Sequence, residues 1–156
     1  MPGVDDLYQQ LILDHYRNPR GGGRLAAATA TAEEHNPMCG DEVTLDVLLE
    51  DGRLTAIAHV GEGCSISRAS ASMLADTLPG RDADEALALI ERFRLVMHGD
   101  ADVPDELGDA VALEGVARFP ARVKCALMSW LAARSAIEAA LLDNQTGSEV
   151  ADGQRG

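Results

Sequence analysis

Leu7, Tyr8, Leu11 and Ile12 recur at helical spacing with His15 on the same stripe, which predicts a helix over residues 5–17. Asn18-Pro19 and the glycines 21–23 end it. Alternation of Ala with Thr between residues 26 and 34 carries a faint strand pattern. A clearer period of two follows, with Val43, Leu45, Val47 and Leu49 separated by Glu42, Thr44 and Asp46. Asp51-Gly52 reads as a turn, and Leu54, Ala56, Ala58 and Val60 alternate again, so the two runs predict a β-hairpin. Beyond it the pattern is helical. One helix is expected over 66–77, stopped by Pro79-Gly80, and a second begins at the D-x-x-E pair Asp82 and Glu85 and runs to about His98. Residues 99–114 are acidic and irregular. Pro120 suits the first turn of a long final helix carrying Val123, Leu127, Trp130, Leu131, Ile137 and Leu141.

Strands first and helices after predict an α+β domain: a small antiparallel three-stranded sheet packed with helices on one face. The pattern shows no repeat and no internal boundary, so residues 1–143 are expected as one domain. The polar stretch 144–156 is expected as a disordered tail.

Composition narrows the function classes. At 156 residues the chain can bury a core, and with 3% aromatic residues that core must rest on Leu, Ala, Val and Ile. A net charge of -13 argues against nucleic acid and against anionic membranes as partners. No apolar run approaches the roughly 20 residues of a spanning helix, and the N-terminus lacks the regions of a secretion signal, so a cytoplasmic protein is expected.

Three cysteines remain to be explained: Cys39 in HNPMCGDEV, Cys64 in GEGCSIS and Cys125 in FPARVKCAL. An odd count in a reducing compartment points to metal or redox chemistry and away from disulfides. Cys39 falls in a loop entering a strand, Cys64 at a helix N-terminus, and Cys125 in the first turns of the last helix. Such element ends are places where distant side chains converge. Three thiolates with the carboxylate of Asp41 would complete a tetrahedral zinc shell, and iron accepts the same donors. The spacing is not a C-x-x-C ribbon, and three unrelated core thiols are the plainer reading of the residues alone. Gly40, Gly61 and Gly63 would let backbone approach a shared centre, and a helix N-terminus favours thiolate. Asp41 could equally cap turn amides. His15 is expected to be packed, His59 and His98 to lie at the surface or a helix end, and His35 is an outside candidate for the shell. Arg118, Arg122 and Lys124 concentrate positive charge near Cys125, either to offset an anionic site or simply as a solvated helix start.

DHYRNPR, NPMCGDEV, GEGCSISRASASML and FPARVKCALMSW together resemble the motifs of the SufU branch of the IscU/NifU N-terminal family, in order along nearly the whole domain. The resemblance implies a zinc site of Cys39, Asp41, Cys64 and Cys125. It implies a zinc-dependent sulfurtransferase that takes persulfide sulfur from a SufS-type cysteine desulfurase for iron–sulfur cluster assembly and hands it to a downstream cluster scaffold. In that family the desulfurase is thought to offer a histidine to the zinc and displace one cysteine. Here Cys39 is the expected sulfur carrier, with Asp41, Cys64 and Cys125 holding the metal and Arg122 on the partner surface. The related scaffolds carry a histidine directly before the third cysteine, where this chain has Lys124; that difference and the acidic connector favour relay. Assembly of a [2Fe–2S] cluster on the same ligands is the alternative, and a structural zinc module that docks on a partner is a third reading.

Overall fold

In the computed structural model the backbone is described for residues 2–37 and 40–149, and side chains for 8–37 and 40–143. Helix α1 (Pro2–Arg17) leads into three strands, β1 (Ala30–Asn36), β2 (Asp41–Glu50) and β3 (Arg53–Glu62). Helices α2 (Ser65–Thr77) and α3 (Ala83–Met97), a 3₁₀ segment (Asp105–Arg118) and α4 (Pro120–Glu149) complete the chain. The strands form an antiparallel meander in the order β1-β2-β3. This is the expected α+β arrangement, with α4 packed across β1 and β2 and α2 over β3.

Val43, Leu45, Val47 and Leu49 all face the core and are buried, as their alternation requires. The third strand departs from its predicted face. Leu49 pairs with Leu54 but Leu48 pairs with Ala56, so Thr55 is an extra residue opposite a single step of β2. Such a bulge inverts the alternation beyond it. Val47 then pairs with Ile57 and Leu45 with His59, so Ile57 and His59 face the core, whereas Val60 is 38% exposed. The surface position expected for His59 is therefore corrected: it is buried, and a period of two carried through the bulge gives the wrong face. The first strand also begins later than expected, at Ala30 instead of 26, and extends to Asn36.

The remaining elements follow the sequence with three corrections. Asp82 stands at the N-cap of α3 but its side chain makes no capping bond; its carboxylate lies 3.5 Å from Arg53 instead. The acidic connector is not wholly irregular, because Asp105–Arg118 is 3₁₀ helix interrupted at Gly108. The backbone of helix α4 is described to Glu149, and residues 150–156 lie outside the described residues. By length and composition alone Pro120–Asp143 is apolar enough to cross a membrane, a correction to the expectation that no apolar run approaches that length. Its apolar residues are spent on the core: Cys125, Ala126, Trp130, Ala133 and Ile137 have no exposed surface. Trp130 stacks on Phe93 with ring centroids 4.1 Å apart and donates its indole N–H to Ser70 Oγ, whose hydroxyl donates to the Ala126 carbonyl.

Gly21–Arg24 runs beside the free edge of β3. The Gly21 carbonyl accepts the His59 N–H and the Gly23 N–H donates to the His59 carbonyl. The chain then reaches β2, where the buried carboxylate of Asp46 accepts the Arg24 guanidinium, the Leu25 N–H and the Thr31 hydroxyl.

Candidate metal centre

Asp41 is the first residue of β2, Cys64 the residue immediately before α2, and Cys125 lies one turn into α4. The fold brings these three ends together: one carboxylate oxygen and the two sulfurs all lie within 4.8 Å of one another. Asp41 and Cys125 are buried, and Cys64 is half-buried. The carboxylate of Asp41 is oriented by the Cys64 backbone, whose N–H donates to Oδ1 at 3.2 Å, while Oδ2 lies 3.6 Å from Cys64 Sγ. Ser67, one turn into α2, donates its hydroxyl to the Cys64 carbonyl at 3.0 Å and lies 3.7 Å from its sulfur.

The glycines before Cys64 make this approach possible. A Cβ on Gly63 would lie 2.8 Å from Asp41 Oδ1 and would also strike Ser67 Oγ. A Cβ on Gly61 would be driven into the Glu42 carbonyl, with Val43 Cα 2.9 Å away. The expected role of Gly61 and Gly63 as sites of close backbone approach is thus present in the geometry. At Gly40 a Cβ would meet nothing within 4 Å; this residue is required by its left-handed φ of 72°.

These donors suit zinc. Bonds of about 2.3 Å to sulfur and about 2.0–2.2 Å to oxygen in a tetrahedron separate neighbouring donors by about 3.5 Å, close to the Asp41–Cys64 spacing. Two sulfurs and one oxygen supply three positions of such a shell. Cys39, the fourth ligand and sulfur carrier expected from the sequence, lies outside the described residues with Met38.

The other candidates separate from this centre. His35 is exposed on β1 with Nδ1 3.7 Å from Glu42 and is not among the convergent donors. His98 closes α3 at the surface, as expected. His15 is fully buried: Nδ1 is 2.7 Å from Ser72 Oγ and Nε2 2.8 Å from Asp109 Oδ2. The Asp109 carboxylate only accepts, so His15 Nε2–H donates to it, and Nδ1 shares a hydrogen bond with the Ser72 hydroxyl, whose oxygen also accepts the Arg20 N–H. A second group of possible donors, His15, Asp76 and Asp109, is thus a tie between α1, α2 and the 3₁₀ segment, with both imidazole nitrogens engaged. Arg118 and Arg122 flank the start of α4 with exposed side chains, and Lys124 is exposed beside the buried Cys125.

Asn36 was missed by the sequence reading. It is buried at the end of β1, directly opposite Asp41 in the sheet register, with Nδ2 4.0 Å from Cys125 Sγ. Its signal was its place in HNPMCGD, which a strand ended at residue 34 left in the loop.

The chain is similar to known proteins in both sequence and fold. Residues 7–126 match the NifU-like N terminal domain. The zinc-dependent sulfurtransferase SufU of Bacillus subtilis is 44% identical over 130 residues, covering 83% of this chain and 88% of that protein. The iron–sulfur cluster assembly scaffold protein IscU of Streptococcus pyogenes is 37% identical over 153 residues, 97% of this chain and 96% of that protein. A crystal structure from Fervidobacterium islandicum AW-1, described as a candidate cluster assembly scaffold for the SUF system, superposes with a TM-score of 0.79 at 30% identity, covering 86% of this chain and 99% of that one. The chain belongs to the NifU-like N-terminal domain family, within the wider IscU/NifU group, and is of its SufU type.

Proposed function

We propose that the chain is a zinc-dependent sulfurtransferase that accepts persulfide sulfur from a SufS-type cysteine desulfurase and relays it, through a downstream scaffold, to iron–sulfur cluster assembly. The observation that carries this reading is the convergence of Asp41, Cys64 and Cys125 at three element ends, in a chain whose relatives include a named zinc-dependent sulfurtransferase.

Bound zinc would keep its thiol ligands deprotonated. Asp41, Cys64 and Cys125 are suited to retain it, because the first two are tied through the Cys64 N–H and the third is buried within α4. Cys39 is assigned as the acceptor, two positions before Asp41 and next to Gly40. Its thiolate attacks the outer sulfur of the donor's Cys–S–SH. A new S–S bond forms at Cys39, the donor S–S bond breaks, and its electron pair leaves on the donor cysteine as thiolate. The sulfane sulfur changes carrier with no net oxidation.

Assembly of a [2Fe–2S] cluster on the same donors is the second reading, supported by relatives named as scaffolds over nearly the whole chain. Metal analysis and an absorption spectrum of protein purified without added metal or chelator separate the two. Colourless protein with one zinc per chain supports relay; brown protein carrying iron and sulfide supports the scaffold. Incubation with a SufS-type desulfurase and L-cysteine, followed by peptide mass analysis without reductant, should find added sulfur on the Cys39 peptide. Sulfur on Cys125 with Cys39→Ser fully active would overturn the assignment, and sulfur on neither would leave a structural zinc module.

A further inference from the structure

Asn36 closes β1 with a buried carboxamide. Along β1 the exposed positions are Thr31, Glu33 and His35, so Ala30, Ala32, Glu34 and Asn36 share the inner face, over which α4 packs. Pro37 follows and favours extended backbone at Asn36, which keeps its side chain on that face. Asp41 is its register partner across the sheet, so the two strands end with paired side chains on one side. Asp41 supplies a donor to the metal centre, whereas Asn36 brings an amide: its Nδ2 lies 4.0 Å from Cys125 Sγ, 89 residues away in sequence.

The chemistry at Cys125 calls for such a group. Cys125 has no exposed surface, and a buried anion is costly unless partners offset its charge. Zinc offsets only part of it, because three thiolates and a carboxylate around one divalent cation leave the shell net negative. A carboxamide N–H can only donate, and a metal-bound thiolate can only accept. A hydrogen bond onto charged sulfur is charge-assisted, and it draws electron density from the sulfur. The thiolate then becomes a poorer nucleophile while it remains a ligand. A side chain that merely filled space at this strand end would be served as well by Leu, which branches at Cγ as Asn does and buries no polar atom.

We infer that Asn36 is a positioning residue of the metal centre, whose side-chain N–H donates to the Cys125 thiolate and keeps it on the zinc while another thiol accepts sulfur. This inference rests on the relay reading and extends it to what marks a retained ligand.

The test compares the unaltered full chain with Asn36→Leu, which fills the site without an N–H, and Asn36→Ala, which removes both. Zinc affinity is measured by competition with a chromogenic chelator. Cobalt(II) then replaces zinc, and the thiolate-to-cobalt charge-transfer band is recorded. Both variants should lose about 10–100-fold in zinc affinity. The band should move to longer wavelength in both, because a thiolate that has lost its N–H donor gives up electron density more readily. An unchanged affinity and band in Asn36→Leu, with or without a loss in Asn36→Ala, would make Asn36 a space-filler and leave the relay standing. Should neither variant fold, the unaltered chain loaded with spin-active cadmium decides the matter. An Asn36 side-chain proton should then couple to the metal through the Cys125 sulfur, and a resolved spectrum without that coupling would overturn the inference. An unaltered chain that binds neither zinc nor cobalt would overturn the metal centre, the relay and this inference together. One that binds zinc, shows the Asn36 effects and takes no sulfur from a SufS-type desulfurase would overturn the relay alone.

Discussion

Asp41 and Cys64 meet twice: the Cys64 N–H donates to Oδ1 at 3.2 Å, and Cys64 Sγ lies 3.6 Å from Oδ2. One carboxylate therefore joins the start of β2 to the start of α2 and presents a donor to the centre. Asp41→Asn keeps an oxygen for the backbone N–H but loses the charge, whereas Asp41→Ala loses both. Zinc per chain should fall in both variants, and the metal-free thermal midpoint should fall further in Asp41→Ala. Chelation should lower the midpoint of the unaltered chain, because metal that binds only the folded form adds to stability. A midpoint that does not move on chelation would remove the structural role of the metal.

Gly63→Ala tests how tightly this joint is packed. The added Cβ would lie 2.8 Å from Asp41 Oδ1, and the nearest atoms belong to Asp41 and Ser67, both buried. Overpacking of this kind costs about 1–3 kcal/mol. The expected result is a lower midpoint in urea together with reduced zinc occupancy. Full occupancy and unchanged stability would show that Asp41 can withdraw without consequence.

Periodicity and punctuation locate the element ends that carry Asp41, Cys64 and Cys125, but their grouping into one centre came from the family resemblance, because the residues alone favour unrelated core thiols. Asn36 and His59 were not legible in the sequence. Asn36 depends on where β1 stops, which faint Ala/Thr alternation does not fix. His59 depends on the extra residue Thr55, and a bulge leaves no mark in a hydropathy pattern. The missing cap at Asp82 has a similar origin: D-x-x-E identifies the helix start, but Arg53 on another element attracts the same carboxylate. Local rules place elements; competition between elements decides what a side chain touches.

Ser129 illustrates a cost left in the core. It is buried in α4, and its hydroxyl has no hydrogen-bond partner among the described residues. A buried hydroxyl without a partner costs about 1–3 kcal/mol in desolvation. Ala is the better helix former by a few tenths of a kcal/mol, about 0.5 at most. Ser129→Ala should therefore raise stability by about 1 kcal/mol, read as a higher urea midpoint with an unchanged slope. A loss of stability would mean that the hydroxyl makes contacts that the folded chain needs.

The chain from Arg20 to Leu25 is held by two titrating groups, which gives stability a defined pH dependence. His59 Nε2–H donates to the Arg20 carbonyl at 2.7 Å, and burial lowers its pKa below 6.5, with the charge of Arg68 acting in the same direction. Stability from the neutral ring is complete above pH 6.5 and declines as the pH falls through the folded value, because the unfolded chain takes up the proton first. Asp46 behaves likewise at lower pH. The Arg24 guanidinium bonded to its carboxylate, aided by Thr31 and the Leu25 N–H, lowers its pKa from 3.8 to about 2. Its contribution is complete above pH 3.8 and is lost as the pH falls from there to about 2. With Arg24 more than half exposed, solvent screening limits that contribution to about 1–2 kcal/mol. Urea midpoints of the metal-free chain, in which no zinc ligand is lost with pH, should thus decline in two steps, one below pH 6.5 and one below pH 3.8. Asp46→Asn should be less stable at neutral pH and should lose only the lower step. A lower step of undiminished size in Asp46→Asn would assign the acid loss to other carboxylates.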